Sequence, residues 1–124
     1  MSVKLDKAKL QTALEIFPKS ELVRIDETIS KTSESYASGG EEKVKLDLTG
    51  VHGQATIVHD GDGDSTVTTR IYLDGAATPD ETITADTFAI IFVTFTSELK
   101  IATYADGVTA NCSTMRVSGF RRSA

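Results

Sequence analysis

Three carboxylates spaced two apart, Asp60, Asp62 and Asp64, with Gly61 and Gly63 between them, form the most chemically suggestive cluster of this 124-residue chain. Such a density of oxygen ligands suits a hard cation, and Ca²⁺ in particular takes several of them. The same residues also suit a tight turn, because Asp and Gly tolerate backbone angles that other residues avoid. The turn is the favoured reading. His52 and His59, the only histidines, lie seven apart with no cysteine at a metal-ligand spacing. A zinc site drawn from His52, His59 and Asp60 is conceivable, and ordinary strand or loop histidines are the plainer reading. Cys112, the single cysteine, has no neighbouring cation and no helix start to activate its thiol, which suits a small core or interface residue.

Asp60-Gly61-Asp62-Gly63-Asp64 resembles the opening of an EF-hand loop. The likeness stops there: Ser65 stands where the sharp turn needs Gly, and Ile71 stands where the bidentate Glu belongs. No helix pattern flanks the segment. No nucleophile elbow appears, and Gly39-Gly40 lacks the Lys and the following helix of a phosphate loop. Convergence of Glu21, Glu34, Glu81 or Glu98 as paired catalytic carboxylates is not a matter of sequence spacing. The expectation is a protein without catalysis and without a cofactor, calcium at Asp60, Asp62 and Asp64 being the one candidate ligand.

The other chemistry-bearing stretch is Met115-Arg116-Val117-Ser118-Gly119-Phe120-Arg121-Arg122. Arg and aromatic residues concentrate at interface cores, so Arg116, Phe120, Arg121 and Arg122 suggest a contact arm, with 119–124 as a basic tail. The last ten residues of the sequence sum to +3, whereas residues 60–86 sum to −6. That asymmetry fits contact between neighbouring subunits in a head-to-tail ring. Phe88 and Phe92, in an apolar run from Phe88 to Val93, are the second pair of candidate interface residues.

The elements that must position these residues are mostly strands. Seventeen threonines, thirteen of them after Gly50, suit pleated surfaces and fit helices poorly. Residues 4–17 read as one amphipathic helix, with Leu10, Ala13, Leu14 and Phe17 on a stripe and Pro18 ending it. Residues 20–37 serve a strand or a helix, and the weak helix formers after Ile29 favour a strand. Val44, Leu46 and Leu48 alternate with Lys43, Lys45 and Asp47, the pattern of a half-buried strand. Residues 54–59 and 66–73 flank the Asp60–Ser65 turn as a hairpin, with Val67, Thr69, Ile71 and Leu73 on one face. Asp106-Gly107 marks a second hairpin. The run at 88–93 is apolar in both phases, which suits a central strand or an assembly contact. The expected fold is one mainly-β domain: an antiparallel sandwich or small barrel, jelly-roll-like, of six to eight strands with a short N-terminal helix.

Composition narrows the partners. A net charge of −5 opposes nucleic-acid binding and attraction to an anionic membrane surface. One cysteine excludes an intrachain disulfide, and the start of the sequence lacks the apolar run of a signal peptide, so cytoplasmic synthesis is expected. In texture, the Thr-rich strands at 54–73 and 81–117 behind a short leading helix resemble small β-rich virion proteins of tailed phages, of the capsid-decorating or cement kind. That resemblance implies a structural protein that binds copies of itself and a larger protein shell, located in the virion. The competing reading is a binding module whose 60–65 and 74–80 loops, with 105–108, hold a cation or a sugar; only three tyrosines and no tryptophan disfavour the sugar. An enzyme built on the two histidines is the third.

Overall fold

A computed structural model describes residues 21–123; the helix expected over 4–17 lies outside them. Within them the chain forms ten strands: β1 (Val23–Ile29), β2 (Ser33–Ser35), β3 (Glu41–Thr49), β4 (Val51–His59), β5 (Thr68–Leu73), β6 (Glu81–Thr84), β7 (Ala89–Phe95), β8 (Glu98–Ala105), β9 (Thr109–Asn111) and β10 (Met115–Ser123). The described residues contain no helix, and so none long and apolar enough to cross a membrane. Within the stretch 20–37, the described residues form the strands β1 and β2 and no helix, as their Ser and Thr content favours.

The pairing follows one rule. β1 pairs with β10, β2 with β9, β3 with β8, β4 with β7 and β5 with β6, every pair antiparallel. The chain is thus one long two-stranded ribbon whose tip is the β5–β6 hairpin. The ribbon then folds over itself, which adds β10·β4 and β5·β8. Two four-stranded sheets result, ordered β1-β10-β4-β7 and β3-β8-β5-β6, with the β2·β9 pair apart from both. All three sheets are antiparallel. The barrel alternative is corrected: the sheets stay open, with β1, β7, β3 and β6 as edges.

The inward residues of both four-stranded sheets share one core, including Ile25, Ile57, Ile71, Phe95, Leu99, Ile101, Met115 and Val117. Burying a side chain of this size stabilises by about 1.5–3 kcal/mol. A smaller cluster of Tyr36, Val67, Ala85, Ala105, Ala110 and Cys112, with Val108 against it, fills the space beside β2 and β9. Val67, Thr69 and Ile71 are fully buried, in the phase that their alternation predicts.

Three expectations need correction. The turns at Asp60–Ser65 and Asp106-Gly107 do not close hairpins. β4 and β5 belong to different sheets, and β9 pairs with β2 rather than β8. Turn residues reverse the chain but leave open whether it returns beside the same strand or crosses to the facing sheet. Val44 does not share the inward face of Leu46 and Leu48. A bulge between Val44 and Leu46 shifts the phase, so Val44 is exposed while both leucines pack on the core. The displaced Lys45 pairs with Glu34 of β2. Residues 119–123 are not a tail: they complete β10, a strand flanked on both sides.

β10 and β4 approach so closely that a side chain on Gly119 would place its Cβ 2.1 Å from the Gln54 carbonyl oxygen; one on Gly53 would lie as near the Phe120 carbonyl. Only glycine fits at these crossings.

Candidate functional site

Along β7, alternate residues point to opposite sides of the sheet. Val93 and Phe95 enter the core, while Ile90 and Phe92 point outward. Phe92 is 78% exposed, Phe88 just ahead of the strand 62%, Ile90 52%, and Phe120 on β10 44%. Among the described residues β7 is therefore an edge strand with an exposed apolar side, which corrects the central-strand alternative. On the outer face of the β1-β10-β4-β7 sheet, an open groove of about 520 Å³ lies between Phe92 and Phe120. Thr56, Ser118 and Gly119 line it; their small size, facing two phenylalanines, leaves the hollow. An adjoining hollow of about 430 Å³ shares Phe120 and is bordered by Leu22, His52, Arg121 and Arg122.

The structure thus gathers Phe92 and Phe120 in one groove and Phe120, Arg121 and Arg122 around the next. Arg116 is on the same strand, but its guanidinium meets Asp60 of its own chain at 3.2 Å. The acidic stretch and the basic strand therefore touch within one molecule at that point. Ile90 and the small residues of the groove were missed in the sequence. The Phe88–Ile90–Phe92 phase was its signal, indistinguishable from the Ile91–Val93–Phe95 phase until the sheet order is known.

The acidic loop does different work. The Asp62 carboxylate accepts hydrogen bonds from the Thr114 amide (2.7 Å), the Thr114 hydroxyl (2.7 Å) and the Ser113 hydroxyl (3.2 Å). Those of Thr114 hold its pKa below the ordinary value. Asp64 accepts from the Asn111 amide at 2.7 Å and its side-chain nitrogen at 3.1 Å. Gly61 and Gly63 let the loop lie against Phe88 and against Ala85 and Ser113, where a Cβ would clash. Asp60, Asp62 and Asp64 thus tie the loop after β4 to the stretch from Asn111, the last residue of β9, to Arg116 in β10. Among the described residues no three His, Cys, Asp or Glu side chains come together as a metal-holding group.

His52 and His59 are not brought together. His52 borders the outer hollow, whereas His59 is fully buried, with Nδ1 2.7 Å from the Thr87 carbonyl and Nε2 2.8 Å from the Thr69 hydroxyl. A carbonyl only accepts, so Nδ1 carries a proton. The 60–65 and 74–80 loops, paired in the binding-module reading, flank opposite ends of β5, about 17 Å of strand apart. In the second of these loops Asp74, at φ +58°, accepts the amides of Thr96 (2.6 Å) and Ser97 (2.8 Å), and those amides lower its pKa. Cys112 is buried and free of disulfide.

Comparison with protein-family models, with characterised proteins and with solved structures yields no match. The chemistry of the outer face and loops is accordingly argued from their own residues.

Proposed function

We propose that this is a non-enzymatic structural or assembly protein that acts through contacts between its own copies, with the outer face of the β1-β10-β4-β7 sheet as the contact surface. The observation that carries the reading is the row of exposed apolar side chains Phe88, Ile90, Phe92 and Phe120 beside an open groove. Contiguous apolar exposure of this kind marks interaction surfaces on soluble domains. The nested ribbon, rolled into two four-stranded sheets, supports assignment as a jelly roll, an architecture used in viral shells and lectins. Decoration of a larger protein shell, in a virion of a tailed phage, is the setting we propose for such contacts.

Light scattering across a concentration series tests the reading. The wild-type chain is expected to associate. Phe92→Lys is expected to weaken association at least about thirtyfold, the effect of losing an interface hot spot. The melting temperature of the dissociated chain should stay nearly unchanged, because Phe92 contributes little to its own core. A wild type that stays monomeric at every concentration overturns the proposal.

A further inference from the structure

Sheet edges expose unpaired backbone groups, and natural proteins protect them with charge, shortness, proline or bulges. Three of the four edges in the two large sheets follow that practice. β1 carries Arg24, Asp26 and Glu27; β3 carries Glu41, Glu42, Lys43, Lys45 and Asp47 together with its bulge; β6 is four residues long and begins with Glu81. β7 has none of these. It is seven residues long, its register with β4 is unbroken, and the sequence from Thr87 to Ser97 holds no charge and no proline.

We infer that β7 pairs antiparallel with β7 of a second copy about a two-fold axis through Phe92, joining two four-stranded sheets into one of eight strands. The inference rests on the proposed assembly function and fixes its geometry. Self-pairing is the occupant that the strand's own pattern fits. With Phe92 opposite Phe92 of the second copy, Ile90 faces Thr94, Ile91 faces Val93 and Ala89 faces Phe95. Every inward residue meets an inward residue and every outward residue an outward one, so both cores stay apolar and continuous. No like charges oppose each other, because the strand has none. Phe92 of each copy meets its twin on the outer face, and the two grooves beside Phe120 then flank the axis. The contact is isologous and closes at two copies.

Disulfide trapping on the full chain tests the register. Residues on the axis face each other with Cα atoms about 4.5–5.5 Å apart, inside the range a disulfide spans. Phe92→Cys, treated with an oxidant, is therefore expected to give a linked dimer. In the same register Ile90 lies about 13 Å along the strand from its own copy. Ile90→Cys alone should give at least about tenfold less linked dimer, while Ile90→Cys combined with Thr94→Cys restores linking. Buried Cys112 serves as the background control: the unaltered chain should remain unlinked. Equal linking by Phe92→Cys and Ile90→Cys overturns the register. Absence of linking both in Phe92→Cys and in Ile90→Cys combined with Thr94→Cys, which keeps Phe92, while the unaltered chain associates by light scattering, overturns strand pairing but leaves the assembly reading standing. A wild type that never associates removes both.

Discussion

The two outer faces of the molecule obey the same alternation and differ in what covers them. On the β3-β8-β5-β6 sheet, the outward aromatics are occupied within the chain. Arg70 lies 3.9 Å over the Tyr104 ring and Lys100 4.5 Å over the Tyr72 ring. Glu42 accepts a hydrogen bond from the Tyr72 hydroxyl at 2.5 Å and from Arg70 at 3.2 Å. Burial first, and Glu42 second, push the Tyr72 pKa up. On the β1-β10-β4-β7 sheet, Phe92 projects mostly into solvent and Phe120 nearly half so. Phenylalanine has no hydroxyl to donate as Tyr72 does to Glu42, and Arg70 and Lys100 lie over tyrosines rather than over Phe92 or Phe120, so most of what these rings can gain comes from apolar burial. One face is finished by its own side chains, and the other gains when something covers it.

That contrast can be broken at its foundation. Gly119→Val puts a side chain into the Gln54 backbone, so β10 and β4 must part. We expect a loss of about 4 kcal/mol or more, the range of severe backbone and packing clashes. It should read out as failure to unfold cooperatively in denaturant, and the Phe92–Phe120 groove should vanish with the fold.

A smaller effect sharpens the comparison. Tyr72→Phe deletes a hydroxyl bonded to a carboxylate and should cost about 1.5–3 kcal/mol in chemical denaturation. Self-association should be unchanged. Phe92→Thr should do the reverse, moving monomer stability by no more than about 0.5 kcal/mol while weakening association. If both variants change the same property, the two faces are not divided in this way.

The smallest effect belongs to the loops at the sheet ends. Asp62 and Asp74 have folded pKa values below their ordinary 3.8. Their stabilisation is whole at neutral pH, begins to fall as the pH drops toward 3.8, and is lost below the folded values. Acid titration of the melting temperature should show this decline, shallower in Asp62→Asn and in Asp74→Asn.

Much of the fold was legible because strand alternation is local. Val67, Thr69 and Ile71 could be assigned inward from their spacing alone. Pairing was not legible, because Asp60–Ser65 and Asp106-Gly107 look alike whether the chain turns back or crosses to the facing sheet. The Val44 phase failed for a related reason: a bulge leaves no mark in an alternating run. At the candidate site, Phe88, Phe92 and Phe120 were identifiable as candidates, but their grouping depended on β7 being an edge. Of the three arginines, Arg116 meets Asp60 in its own chain, a pairing that the sequence spacing did not reveal.

The nested pairing also sets an order for biosynthesis. β10 comes last in chain order among the ten described strands, yet it lies between β1 and β4. Until it emerges, β1 has no other described strand beside it and β4 lacks one side, so this sheet is completed only after β10 has been made. Pairings so distant in sequence form slowly. During that interval the uncharged β7 is already synthesised and accessible, and partly folded chains bearing such strands are prone to clump. The arrangement therefore predicts dependence on holding factors, or on low expression temperature, for good yield.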